Sequence, residues 1–156
     1  MYRLALSEVS IILVEPSDTQ CKIIIKQLAA ADIHHVEAVG NVKQAIEEIT
    51  KNGADLVVSA MYFEDGTGLD IIKYIKNDES FAATQFMLVS SENRVEKLEE
   101  FKQSGVAAIL PKPFTPENLA KALKASLDLI NSDELDLELF DVQDVRVLLV
   151  DDSKLA

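Results

Sequence analysis

Five short apolar runs, rich in β-branched residues, alternate along the chain with segments of helical periodicity, and this pattern limits the fold more than any other feature. The runs are Ser10-Ile-Ile-Leu-Val14, Val36-Glu-Ala-Val39, Leu56-Val-Val-Ser-Ala60, Phe86-Met-Leu-Val-Ser90 and Val106-Ala-Ala-Ile-Leu110, of which the second is the weakest. Runs of this kind lack the polar alternation of a half-exposed strand. They are predicted to be buried on both faces, as in a parallel sheet.

The segments between them read as helices. Residues 18–31 place Cys21, Ile24, Ile25 and Leu28 on one stripe, with Ser17 or Asp18 as cap. Residues 41–51 open at Asn41 and stop at Gly53, with Val42, Ala45, Ile46 and Ile49 inward. Residues 68–77 bury Leu69, Ile72 and Ile75, and residues 92–103 bury Val95, Leu98 and Phe101. Residues 116–130 begin with a proline in the first turn and carry Leu119, Leu123, Leu127 and Ile130. Repeated strand–helix alternation implies right-handed crossovers. The predicted class is α/β, a doubly wound parallel sheet of five strands in the order 2-1-3-4-5. In such folds the functional groups gather at the carboxyl ends of the strands, near strands 1 and 3.

Composition excludes several function classes. An apolar fraction of 48% with 5 Gly and 4 Pro describes a packed chain and not a disordered one. Cys21 stands alone, so no internal disulfide forms. No apolar run approaches the roughly 18 residues of a membrane span, and the first residues do not resemble a signal peptide. A cytoplasmic protein with no membrane contact is the reading. The net charge is −12, and half of it falls on residues 131–144, which hold six acids and no base. Such a chain repels a nucleic-acid backbone, which needs clustered Lys and Arg.

The residues at the strand ends carry a family resemblance. Glu15-Pro16 follows the first strand, Ala60 ends the third, Ser90 ends the fourth, and Lys112-Pro113-Phe114 follows the fifth. Residues 10–125 thereby resemble one complete receiver domain of a two-component response regulator, a flavodoxin-like fold similar to the chemotaxis regulators. The resemblance implies an acidic pair at Glu15-Pro16, a phosphoacceptor aspartate at position 60, a hydroxyl at Ser90, a Lys-Pro pair at Lys112-Pro113 and an aromatic switch at Ile109. It also implies a cis peptide before Pro113. The chain departs from the pattern at Pro16, at Ala60 and at Ile109.

These departures bear on the chemistry. A methyl group is neither a nucleophile nor a metal ligand. Mg²⁺ takes octahedral oxygen ligation and is held by a few carboxylates. Two of the three usual carboxylates are missing, so Mg²⁺ binding is expected to be weak or absent, and no other cofactor is implied. Ser90 and Lys112 have no phosphoryl group to answer. The plain alternatives are that Lys112 forms a structural ion pair with Glu15 and that Ser90 and Ser91 end a strand and cap a helix. Ser59 precedes Ala60 and points to the opposite face, so a buried hydroxyl satisfied by backbone is expected there. Asp65, between Glu64 and Gly66, reads as turn chemistry. A phosphorylatable receiver with a non-standard acceptor and a small α/β enzyme are the rival readings. Glu15-Pro-Ser-Asp18 is acidic where a nucleotide-binding turn needs bare amides. His34-His35 makes a poor metal pair, because neighbours on a strand point apart.

Beyond the domain, Val147-Leu-Leu-Val-Asp-Asp-Ser153 repeats Ile11-Ile-Leu-Val-Glu-Pro-Ser17. The resemblance divides the chain into a degenerate receiver over 1–130, an acidic linker over 131–144 and, over 145–156, the first strand of a truncated second receiver. Asp151-Asp152 would be the acidic pair of that second copy. Residues 145–150 are expected to pair with another chain, by edge addition or as a tail-to-tail ribbon. The expected partners are proteins: the chain's own second receiver or output domain, a sensor kinase, or a second copy. The family implies a dimer face on helix 4, strand 5 and helix 5. There Glu92, Glu96, Glu99 and Glu100 stand against Arg94 and Lys97, with Lys121 and Lys124 on helix 5.

Overall fold

Residue patterning places each strand beside its predicted neighbours in the computed structural model, which describes residues 5–132 and 148–149. In chain order the elements are β1 (Ser10–Val14), α1 (Asp18–Ala30), β2 (His35–Val39), α2 (Val42–Asn52), β3 (Leu56–Ser59), α3 (Gly68–Lys76), β4 (Gln85–Ser90), α4 (Val95–Gln103), β5 (Ala108–Pro111), α5 (Pro116–Ser132) and β6 (Leu148–Leu149). A small antiparallel ladder of Tyr62–Phe63 with Gly66–Thr67 fills the turn between β3 and α3. The main sheet is parallel throughout, in the order β2-β1-β3-β4-β5-β6. Its first five strands follow the expected order.

Strand alternation divides the core in two. Ile11, Leu13, Leu56, Val58, Met87, Val89, Ala108 and Leu110 pack with Ile24 and Leu28 of α1 and with Leu119, Ala122 and Leu123 of α5. On the opposite face, Ile12, Val14, Val57, Phe86, Leu88 and Ile109 meet residues of α2 and α3 and Phe101 of α4. Each large apolar side chain so buried contributes roughly 1.5–3 kcal/mol against leaving it in water. The helices start where their caps dictate. The Ser17 hydroxyl accepts from Gln20 N at 3.2 Å, and the Asn41 side chain accepts from Gln44 N at 2.8 Å. α2 ends on Gly53 at φ 70°, a left-handed backbone that costs glycine little.

Three expectations need correction. α4 begins at Val95, three residues later than expected, and Val95 is 72% exposed while Phe101 carries the burial. The cause lies in the preceding loop. The Glu92 carboxylate binds the Arg94 side chain and main chain, and Arg94 adopts an extended ψ of 127° with no side-chain cap. Ser90 therefore ends β4 but caps no helix. Second, Ile25 is exposed, because the buried stripe of α1 is centred on Ile24 and Leu28.

The third correction concerns the C-terminal strand. It was expected on another chain, yet Leu148 and Leu149 pair in parallel with Ala108 and Ile109 of this chain's own β5. β5 would otherwise end the sheet with a row of unpaired amides and carbonyls. A strand tethered to the same chain reaches that edge at a far higher effective concentration than a second molecule does. The acidic segment over 133–144 lies outside the described residues, as do the two acids at 151 and 152.

Candidate functional site at the carboxyl end of the sheet

Main-chain hydrogen bonds draw the strand ends together before any side chain acts. Ala60 N donates to Val14 O at 2.9 Å, and Glu15 N donates to Val39 O at 3.0 Å. Lys112 N donates to Ser90 O at 2.9 Å, and the Lys112–Pro113 peptide is cis. The predicted residues Glu15, Ala60, Ser90 and Lys112 thus stand at the ends of β1, β3, β4 and β5. Pro16 and Pro113 are exposed beside them.

Glu15 is buried, and its carboxylate is occupied from two sides. Oε2 accepts from Ser17 N at 3.1 Å, and Oε1 receives Lys112 Nζ at 3.4 Å. The predicted ion pair across the strand ends is present. Burial, then the Glu15 and Asp18 carboxylates, push the nearby Cys21 thiol above its ordinary pKa. Ala60 is 9% exposed and offers only a methyl group at the end of β3. Ser59 is fully buried, and its hydroxyl donates to Ala60 O at 2.7 Å, in line with the expectation of a backbone-satisfied side chain. Ile109 lies within the core on the side of Phe86 and Phe101.

The loop after β3 is held closely. Gly68 N donates to Met61 O at 2.9 Å. A Cβ on Gly68 would come within 3.1 Å of both Ala60 O and Phe101 Cε1, so a side chain there would make its neighbours give by a few tenths of an ångström. The Asp65 carboxylate leaves its own turn and accepts from Val42 N and Lys43 N, each at 3.0 Å. It thereby occupies two of the amides that the start of α2 leaves open. These two bonds hold Asp65 below the usual aspartate range. Turn chemistry alone does not reveal this role, because the helix it caps lies earlier in the chain.

A second carboxylate went unrecognised in the sequence. Glu92 accepts from Tyr62 Oη at 3.1 Å, Arg94 N at 3.0 Å, Arg94 Nε at 2.8 Å and Arg94 Nη2 at 3.0 Å. The Arg94 side chain, the Arg94 amide and Tyr62 together lower its pKa to about 2. Ser90 Oγ accepts from Glu92 N at 3.0 Å and faces Met61 Sδ at 3.9 Å. Two of the charges assigned to the dimer face are therefore paired with each other, and Lys124 is paired with Asp128 at 3.2 Å. His34 pairs with Asp32 at the surface, away from the strand ends.

The sequence pattern of the response regulator receiver domain matches residues 11–124. The chain belongs to the response-regulator receiver family. This receiver is 27% identical over 120 residues to chemotaxis protein CheY-3 of Vibrio cholerae, covering 77% of this chain and 89% of that protein. It is 25% identical over 117 residues to the DNA-binding transcriptional regulator NtrC of Azospirillum brasilense, covering 75% of this chain but 24% of that longer protein. Its fold matches the chemotaxis response regulator CheY4 of Vibrio cholerae with a TM-score of 0.69 at 24% identity, covering 76% of this chain and 98% of that one. Among the described residues, no helix of the receiver is long and apolar enough to cross a membrane.

Proposed function

We propose that this receiver takes up no phosphoryl group and works in two-component signalling by protein–protein contact. Ala60 carries the proposal: at the end of β3 it provides no oxygen to accept a phosphoryl group. The remaining donor set agrees. Of the three positions that hold carboxylates in the family, Glu15 alone has one, and its oxygens already face Ser17 N and Lys112 Nζ. That set does not fit Mg²⁺, which prefers several free oxygen ligands. The alternative acceptors are engaged elsewhere, Ser59 in the core and Asp65 on α2.

A protein-binding role is supported by the surface beside the site. Gln20, Ile23, Gln27, Ser91, Lys112, Pro113 and Phe114 line an open groove of about 400 Å³. Ile23 is 44% exposed, and Gln27 Oε1 is buried with no hydrogen-bond partner among the described residues. The partners proposed are a sensor kinase, a second copy, or a following receiver or output domain, in the cytoplasm. The repeat around Asp151-Asp152 favours a receiver as the following unit.

The test is incubation with acetyl phosphate and Mg²⁺, read by intact-mass spectrometry. No phosphoryl adduct is expected. A stoichiometric adduct would overturn the proposal and favour a non-standard acceptor, which peptide mapping would locate.

A further inference from the structure

We propose that Tyr62, Glu92 and Arg94 form a permanent clasp that fixes the loop between β4 and α4. This goes beyond the reading above, since it concerns what holds the loop and not whether the site is phosphorylated.

The clasp joins two loops at the carboxyl edge of the sheet. Tyr62 belongs to the ladder after β3, while Glu92 and Arg94 belong to the loop after β4. An ionised carboxylate has about four lone-pair sites, and the four donors on Glu92 fill them. Two come from the planar guanidinium in a bidentate fork, one from a main-chain amide and one from the phenol. Such charge-assisted, forked bonds fix direction as well as distance. Although Arg94 is 58% exposed, the Glu92 side chain is only 9% exposed, so the hub is sheltered while its anchor lies at the surface.

Ser90 completes the arrangement at the start of the loop. Its oxygen accepts from Glu92 N, and its proton points to Met61 Sδ next to Tyr62. The hydroxyl and the carboxylate therefore tie the same loop to the same neighbouring segment at two points. Nothing in this set depends on an added group. The clasp also sets what the loop displays: Tyr62 is 51% exposed, and Val95, at the first turn of α4, is 72% exposed. With the loop pinned, these two exposed side chains are held at the surface in a fixed relation.

The test is amide hydrogen exchange measured by NMR on the full chain, for the natural protein, Glu92→Gln and Tyr62→Phe. If the clasp holds the loop, Glu92→Gln accelerates exchange of the Glu92 and Arg94 amides by about tenfold or more, and Tyr62→Phe accelerates it by a smaller factor. Amides of β1, β3 and β4 keep their natural rates. Tyr62→Phe removes one oxygen from a half-exposed ring, so it reads the contact without threatening the fold. Unchanged loop exchange in both variants overturns the clasp. Acceleration in Glu92→Gln alone overturns the bridge to Tyr62. A further arm with acetyl phosphate and Mg²⁺ separates this from the proposed function: a phosphoryl adduct with an unmoved loop would sink that reading and leave the clasp standing.

Discussion

Lys112 Nζ stands 3.4 Å from Glu15 Oε1, joining the ends of β5 and β1 across the sheet. Glu15 is the more buried partner, with its side chain 5% exposed against 24% for Lys112. Removing the lysine leaves a buried carboxylate with one main-chain donor, Ser17 N. Lys112→Ala is expected to destabilise the fold by about 1–3 kcal/mol. Glu15→Gln should cost less, because it removes the buried charge and leaves unpaired only the more exposed Lys112 ammonium. Urea unfolding of both variants checks the order, and a Lys112→Ala midpoint equal to the natural one would show the pair to be unimportant.

Restoring acceptor chemistry requires more than one atom. Ala60→Asp supplies a nucleophile, but Pro16 still offers no metal ligand and Glu15 remains tied to Lys112. The single variant is expected to label poorly with acetyl phosphate and Mg²⁺. Ala60→Asp combined with Pro16→Asp is expected to label well. Mass spectrometry of the two compares them directly, and efficient labelling of the single variant would mean the second carboxylate matters little.

Much of this architecture was legible in the sequence, because burial on both faces of a parallel sheet leaves uninterrupted apolar runs such as Leu56-Val-Val and Phe86-Met-Leu-Val. The caps at Ser17 and Asn41 were legible too, since each acts within a few residues of its own position. The placement of Glu15, Ala60, Ser90 and Lys112 at the strand ends was legible as well, because a family pattern marks those positions. What escaped were contacts between distant segments. Asp65 caps a helix that begins 23 residues earlier, and no local spacing marks that pairing. Glu92 had the periodicity of a helix residue, and its bonds to Arg94 and Tyr62 overrode it.

Gly68 lies close beneath the loop that carries Ala60, where a side chain would be tight. A methyl group there would press on Ala60 O, Phe101 and Phe86 at 3.1–3.3 Å. Alanine ordinarily favours a helix over glycine by up to about 1 kcal/mol. Overpacking of this kind costs about 1–3 kcal/mol and should dominate. Gly68→Ala is expected to lower the thermal midpoint, and a raised midpoint would mean that the loop yields freely.

Acid should loosen two loops, each only below the ordinary carboxylate range. The Glu92 pKa is lowered from 4.5 to about 2, and that of Asp65 is lowered as well. A carboxylate with a depressed folded pKa contributes stability that is fully present above its unfolded value and is lost as pH falls through the folded one. For Glu92 that window runs from 4.5 down to about 2. The carboxyl resonances of both residues, followed by NMR, should titrate below the ordinary carboxylate range. Asp65→Asn should also speed exchange of the Val42 and Lys43 amides, and titration of either carboxylate at ordinary values would contradict the geometry.

The strand on the edge of β5 gives the last expectation. Leu148 and Leu149 cover Ala108 and Ile109 on that edge. Truncation after Ser132 removes this strand together with the six acids of residues 133–144. The buried core within residues 9–123 is retained, so the truncated chain is expected to stay folded. It then presents unpaired amides and carbonyls along β5, with less like-charge repulsion to keep copies apart. Sedimentation should therefore show stronger self-association for the truncated chain than for the full one. If truncation instead weakens association, the strand joins chains in solution and does not shield this edge.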